Sequence, residues 1–209
     1  MWRRYEPDDL RRLMVERQLR GRDIRDERVL EAMSRVRRER FVPDAERVHA
    51  YDDAALALGH GQTISQPFIV ALICESLELT GTERVLDVGT GSGYQAAVLA
   101  ELAAEVVSIE RIPELAADAA RNLAETNVEL HVGDGSLGVP ERAPFDAIAV
   151  AATATAVPPA LVEQLAEDGR LVLPLRELLV RVRRAPGGPV TESLVPVRFV
   201  PLVTGFRAS

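Results

Sequence analysis

The chain has 209 residues, 47% of them hydrophobic and 27% charged, with a formal net charge of −7. That length suits one large domain with a substantial core; the hydrophobic content excludes a disordered chain, and the acidic balance excludes a general nucleic-acid binder. The single Cys74 rules out an internal disulfide and fits a reducing compartment.

In chain order, Met1-Trp2-Arg3-Arg4-Tyr5-Glu6 is followed by no apolar signal-peptide core, and no apolar run reaches the ~20 residues needed to span a bilayer. The expectation is a cytoplasmic protein that binds no membrane. All 25 basic residues are arginine, fourteen of them in the first 50 positions among eleven acids. Leu10, Leu13, Met14 and Leu19 supply one apolar stripe there. Val29, Leu30, Met33 and Val36 supply a second, with Asp26 as N-cap. We read residues 1–50 as solvated amphipathic helices covering the substrate side of a sheet, not as an RNA-binding arm.

Residues 51–80 hold a polar, glycine-bearing loop, Gly59-His60-Gly61-Gln62-Thr63-Ile64-Ser65-Gln66, stopped by Pro67 as the first residue of a helix over 68–77. Ser65 can cap that helix and still offer a hydroxyl to a ligand. His60, flanked by glycines, reads as structural as readily as catalytic, and we assign it no role as a base.

The core spans 81–175. Arg84 to Val88 is a short apolar strand carrying an acid, followed by Gly89, Gly91 and Gly93 and then a helical run. The spacing is G-x-G-x-G, with Tyr94 where a dinucleotide fingerprint has its third glycine. A carboxylate at Asp87 suits a ligand with an ammonium better than one with a pyrophosphate. Val106 to Glu110 is a second strand, its acid 21 residues after Gly89, the distance at which an acid binds ribose hydroxyls in this architecture. Ammonium, ribose and no phosphate together describe S-adenosylmethionine. A helix over 113–123 and a strand over 128–132 lead to Gly133-Asp134-Gly135, where Asp134 is placed to accept from an adenine amino group. His131 on that strand reads as exposed or packed. Phe145 to Val150 is another strand, Pro158-Pro159 opens a helix to Leu165 closed by Asp168-Gly169, and 170–175 is a fifth strand. In the tail, 176–209, two β-rich runs over 178–182 and 194–200 flank Ala185-Pro186-Gly187-Gly188-Pro189 as an antiparallel hairpin. The alternation predicts a doubly wound, mostly parallel α/β sheet in one domain over 1–209, with no metal-ligand cluster, and the glycine block resembles the cofactor-binding motif of the Rossmann-like class I methyltransferases.

Phe41-Val42-Pro43, Ala50-Tyr51, Gly61-Gln62-Thr63-Ile64-Ser65-Gln66-Pro67 and Asp87-Val88-Gly89-Thr90-Gly91-Ser92-Gly93-Tyr94-Gln95 resemble the protein-L-isoaspartate O-methyltransferase family. The match continues through Ile109-Glu110-Arg111, Gly133-Asp134-Gly135, Pro144-Phe145-Asp146, Gly169-Arg170-Leu171-Val172 and Val197-Arg198-Phe199-Val200-Pro201-Leu202. The resemblance implies a repair enzyme that methylates the free α-carboxylate of isoaspartyl residues in damaged proteins, and a monomer is expected. The ester then closes to a succinimide, part of which opens to normal aspartate. It also implies Ser65 as the active-site residue, with Gln62, Thr63 and Ile64 binding substrate. Asp87, Gly89, Thr90, Gly91, Ser92, Gly93, Glu110, Arg111, Asp134 and Gly135 would then hold S-adenosylmethionine. Two alternatives stand beside it: a carboxyl methyltransferase for ordinary aspartate in one dedicated peptide, and a non-catalytic relative that keeps the fold. The segment Pro174-Leu175-Arg176 looks shorter than the family's usual connection, so a loop covering the substrate is expected to be trimmed.

Overall fold

The computed structural model describes residues 6–205; Met1 to Tyr5, part of the segment read above for a signal peptide, lie outside them. Seven strands form one sheet: β3 (Arg84–Val88), β4 (Glu105–Glu110), β5 (Val128–Val132), β6 (Phe145–Val150), β7 (Leu165–Leu175), β8 (Leu178–Arg183) and β9 (Val190–Pro196). Their spatial order is β5-β4-β3-β6-β7-β8-β9. The first five are parallel and the last two antiparallel. The chain runs outward from β3 to β5, then crosses back to place β6 on the other side of β3. The switch point therefore lies between β3 and β6, where open α/β sheets leave a crevice beyond the strands' carboxyl ends.

Strand alternation divides the core. Val85, Val106, Ala147, Ala149 and Val172 face one layer, and Leu86, Val88, Val107, Ile109, Ile148 and Val150 face the other. The first layer contains α3 (Pro67–Ser76), α4 (Tyr94–Ala100) and α5 (Pro113–Asn122). The second is thinner, built on α6 (Pro159–Glu163) and single turns at Gly135–Leu137 and Pro140–Arg142. Ahead of the sheet, β1 (Leu56–Gly59) and β2 (Gln62–Ile64) pair as a separate hairpin, so the polar loop of the sequence is strand over part of its length.

The amino-terminal segment is helical as expected. Helix α1 (Pro7–Leu13) continues into a wider turn over Met14–Leu19, and α2 (Glu27–Arg35) follows. Many of the arginines are absorbed by local pairs such as Arg11–Asp8, Arg12–Asp9 and Arg47–Asp44. Arg38 differs from these: it is fully buried, donates from Nε to the Ala50 carbonyl at 2.7 Å, and lies 4.8 Å from the Tyr94 ring centre. This layer packs on α3 and α4. It does not cover the crevice, whose lining begins only at Ala55.

Two boundaries differ from the sequence reading. Helix α6 ends at Glu163, and Asp168-Gly169 lies inside β7, where a two-residue step on β6 faces a five-residue step on β7. Asp168 takes a φ of 60°, and a Cβ on Gly169 would stand 2.9 Å from the Ala166 carbonyl oxygen. The Asp-Gly pair thus makes a bulge instead of a helix stop. Strand β9 ends at Pro196, which has no N–H to continue the ladder. The segment beyond it leaves the sheet and crosses its carboxyl edge, with Thr153 donating to Val200 and Leu202 donating to Thr153, both at 2.8 Å. The trimmed connection is a two-residue turn, Arg176-Glu177, with Leu175 opposite Leu178. Among the described residues no helix is long and apolar enough to cross a membrane, and no group of His, Cys, Asp or Glu could hold a metal ion.

The Asp26 carboxylate accepts from the Arg28 N–H at 2.8 Å and starts α2. Asp26→Ala is expected to lower unfolding free energy by about 1 kcal/mol in denaturant titration, with Asp26→Ser close to wild type.

Candidate active site

A cavity of about 740 Å³ opens over the carboxyl ends of the central strands. Val88 and Gly89 at the end of β3, Glu110 to Ile112 at the end of β4, Gly135 after β5 and Ala151-Ala152 after β6 form its floor. Gln62, Thr63, Ser65 and Gln66 line it from the hairpin and the start of α3. Glu177 and the crossing segment from Pro196 to Val203 line it as well. Its volume is in the range of a small-molecule site.

The glycine turn is fixed from beneath. Gly89 (φ 94°) and Gly91 (φ 55°) hold conformations that a side chain rarely adopts. The Gly89 N–H donates to the Ile109 carbonyl at 2.9 Å. Glu110 is buried against this turn, one oxygen accepting from the Gly91 N–H and the other from the Ile112 N–H, each at 2.9 Å. Each carboxylate oxygen retains acceptor capacity toward the cavity. Beside it, the Arg111 Nε is buried with no partner among the described residues.

The sequence reading set the Asp87 carboxylate against a ligand's ammonium group, but the structure does not place it in the cavity. Alternation along β3 sends it, with Val85, toward α4 and away from the cavity. It is fully buried and absent from the cavity lining. One oxygen accepts from Gln95 Nε2 at 2.8 Å and the other from the Ser108 hydroxyl at 2.7 Å. Ser108 and Thr90 are also hydrogen-bonded, 2.6 Å apart. Burial pushes the Asp87 carboxyl up to about 6, against the two hydrogen bonds and with help from the Glu110 charge.

The remaining candidates separate cleanly. Ile64 is turned into the hydrophobic core. Thr90, Ser92 and Gly93 are buried within the turn, Ser92 offering its carbonyl to Asn122 and Gly93 packing on Leu123. Asp134 accepts from the Ser136 N–H and hydroxyl through one oxygen and from the Gly205 N–H through the other. Partial burial opposes its ionisation, but these bonds and the Arg111 charge hold its carboxyl below the usual range. His60 sits at the exposed tip of the β1–β2 hairpin and lines no part of the cavity. Ser65 does line it. Residue Gln66 occupies the cap position of α3 without a side-chain cap bond, and no side-chain hydrogen bond among the described residues engages the Ser65 hydroxyl. The sequence reading did not single out Gln66, Glu177 or Arg198 as site residues. Gln66 stood within the quoted motif and donates to Asp53 at 2.7 Å.

A sequence profile of the protein-L-isoaspartate(D-aspartate) O-methyltransferase family matches residues 10–207. The chain belongs to that family. It is 58% identical over 204 residues to a Marinobacter nauticus protein named protein-L-isoaspartate O-methyltransferase 2, covering 93% of each chain. A protein of the same name from Anaeromyxobacter sp. is 53% identical over 210 residues, with 97% of this chain and 86% of the relative covered. Among solved structures, one described as a protein-L-isoaspartate O-methyltransferase has a TM-score of 0.79 at 28% identity. The match spans 94% of this chain and 65% of that one. A Plasmodium falciparum structure described as a family member in complex with S-adenosyl-L-homocysteine also has a TM-score of 0.79, at 27% identity, covering 93% and 99%.

The raised Asp87 carboxyl gives a pH test. The folded chain holds its proton more tightly than the unfolded chain, so Asp87's contribution to stability is full below the unfolded value near 4 and is lost as pH rises through about 6. Relative to Asp87→Asn, the ligand-free wild type is expected to lose on the order of 2 to 3 kcal/mol between pH 4 and pH 7, measured by chemical denaturation.

Proposed function

We propose that the chain transfers a methyl group from S-adenosylmethionine to the free α-carboxylate of L-isoaspartyl residues in damaged proteins, starting their repair through a succinimide. One observation carries this reading: in a member of this family, a single cavity joins the Gln62–Ser65 segment to the glycine turn and Glu110.

The residues present fit the cofactor. The glycine turn leaves backbone open to close approach, and Glu110 keeps acceptor capacity suited to ribose hydroxyls. The buried, unpartnered Arg111 Nε lies at the edge of the same cavity. Glu110, Gly89, Gly91, Arg111 and Gly135 would hold the cofactor, with Thr90, Ser92 and Gly93 shaping the turn from within. Asp134 would serve the adenine end. Asp87 acts from behind the turn: when ionised, its carboxylate favours a cationic group in the cavity without touching it. When bound, the cofactor supplies an electrophilic methyl group on a sulfonium.

The chain's own contribution is positioning. A substrate α-carboxylate with an ordinary value near ~3.5 is already ionised at neutral pH, so no general base is required. The Ser65 hydroxyl can donate to one carboxylate oxygen and leave the other aimed along the transfer axis. Thr63 and Gln62 add polar contacts beside it, and Ile64 anchors the segment in the core. The hairpin and the crossing segment limit water around the nucleophile, whose reactivity rises as it loses hydration. Action in the cytoplasm, as a monomer and apart from nucleic acid or membrane, belongs to the same proposal and is supported by the acidic charge and a lone buried thiol.

The test is Ser65→Ala assayed with an isoaspartyl peptide. Wild type is expected to form base-labile methyl esters. The variant is expected to lose about tenfold or more in kcat, with S-adenosylhomocysteine affinity within about twofold of wild type. Equal loss of turnover and cofactor affinity would contradict the assignment of Ser65 to the substrate.

A further inference from the structure

Two cations line the cavity, and the fold separates them. Arg111 follows Glu110 at the end of β4, on the side given above to the cofactor. Arg198 lies on the crossing segment. Its neighbours Val197 and Phe199 pack into the same hydrophobic cluster as Leu56 and Ile64 of the β1–β2 hairpin. Leu202, four residues further on, packs into the opposite cluster with Val88 and Ile109. Arg198 thus lines the same cavity as Gln62, Thr63 and Ser65, on a segment whose flanking residues share a hydrophobic cluster with the hairpin.

Its state differs from that of nearby arginines. Arg181 and Arg183 are tied to Glu78, and Arg181 also pairs with Glu192. Arg198 is exposed, and among the described residues it enters no ion pair or side-chain hydrogen bond. Glu177 also lines the cavity; its carbonyl accepts from the Val197 N–H at 2.9 Å, and among the described residues its carboxylate forms no ion pair with Arg198. The methyl acceptor is an anion approaching a protein of net charge −7, through a lining that already carries Glu110 and Glu177. An unengaged guanidinium on that side offsets this repulsion and presents a planar fork matched to a carboxylate.

We infer that Arg198 is a substrate-recognition residue that receives a carboxylate of the peptide, either the reacting α-carboxylate or an acidic side chain beside it. This rests on the function proposed above. It assigns Arg198 to binding and not to chemistry, because pairing with a guanidinium orients a carboxylate without making it a better nucleophile.

The test compares wild type, Arg198→Gln and Arg198→Lys on two isoaspartyl peptides, one with neutral flanking residues and one with acidic ones. Arg198→Gln is expected to raise KM about three- to tenfold, with kcat and S-adenosylhomocysteine affinity close to wild type. Arg198→Lys should recover part of the loss by restoring charge without the fork. A rise on both peptides identifies the reacting carboxylate, and a rise confined to the acidic peptide identifies a flanking one. Wild-type KM should also rise with ionic strength, a readout that needs no variant. Unchanged KM on both peptides, or a wild-type KM indifferent to salt, would overturn the inference while leaving methyl transfer standing. Absence of methyl ester on either peptide with wild type would remove both readings together.

Discussion

A carboxylate stripped of water at the end of the central strand is the constraint on which this structure depends. Asp87 cannot be left unpartnered in a sheet covered on both faces, since an isolated buried charge costs far more than a fold can spare. Gln95 from α4 and Ser108 from β4 meet that need, and Thr90 extends the network into the glycine turn. One buried acid therefore ties together the central strand, its neighbour, the turn and the helix that follows.

A second acid does complementary work. Glu110 is held by two backbone N–H groups, which fixes the turn's height above the sheet while its remaining acceptor capacity faces the cavity. The floor is thus rigid and belongs to the parallel sheet. The walls come from elsewhere: the β1–β2 hairpin ahead of the sheet and the crossing segment beyond β9. These walls carry Gln62, Thr63, Ser65 and Arg198.

Much of this was legible in the sequence because it is local. The strand ending in Val88, the glycine turn, the acid at Glu110 and the cap at Asp26 each follow from a short pattern, and the family motifs spanned nearly the whole chain. What was not legible depends on information no short window contains. The direction of Asp87 is set by which face of β3 receives α4, and strand periodicity alone cannot say. Asp168-Gly169 carries the same residues a helix stop would use, yet β6 beside it turns the pair into a bulge. The β-rich run over 194–200 gives no sign that pairing ends at Pro196 or that Arg198 then faces a cavity built largely from residues about 90 or more positions earlier. The short Arg176-Glu177 connection was visible as a length, but its place at the cavity mouth was not.

The central claim is that this cavity distinguishes an isoaspartyl carboxylate from an ordinary aspartyl one. The most direct measurement uses two peptides identical except for L-isoaspartate or L-aspartate at one position, with radiolabelled S-adenosylmethionine and the purified chain. Base-labile label is expected on the isoaspartyl peptide and none above background on its partner. Equal labelling of both, or label only on the aspartyl peptide, would contradict it and reassign the cavity to ordinary aspartate.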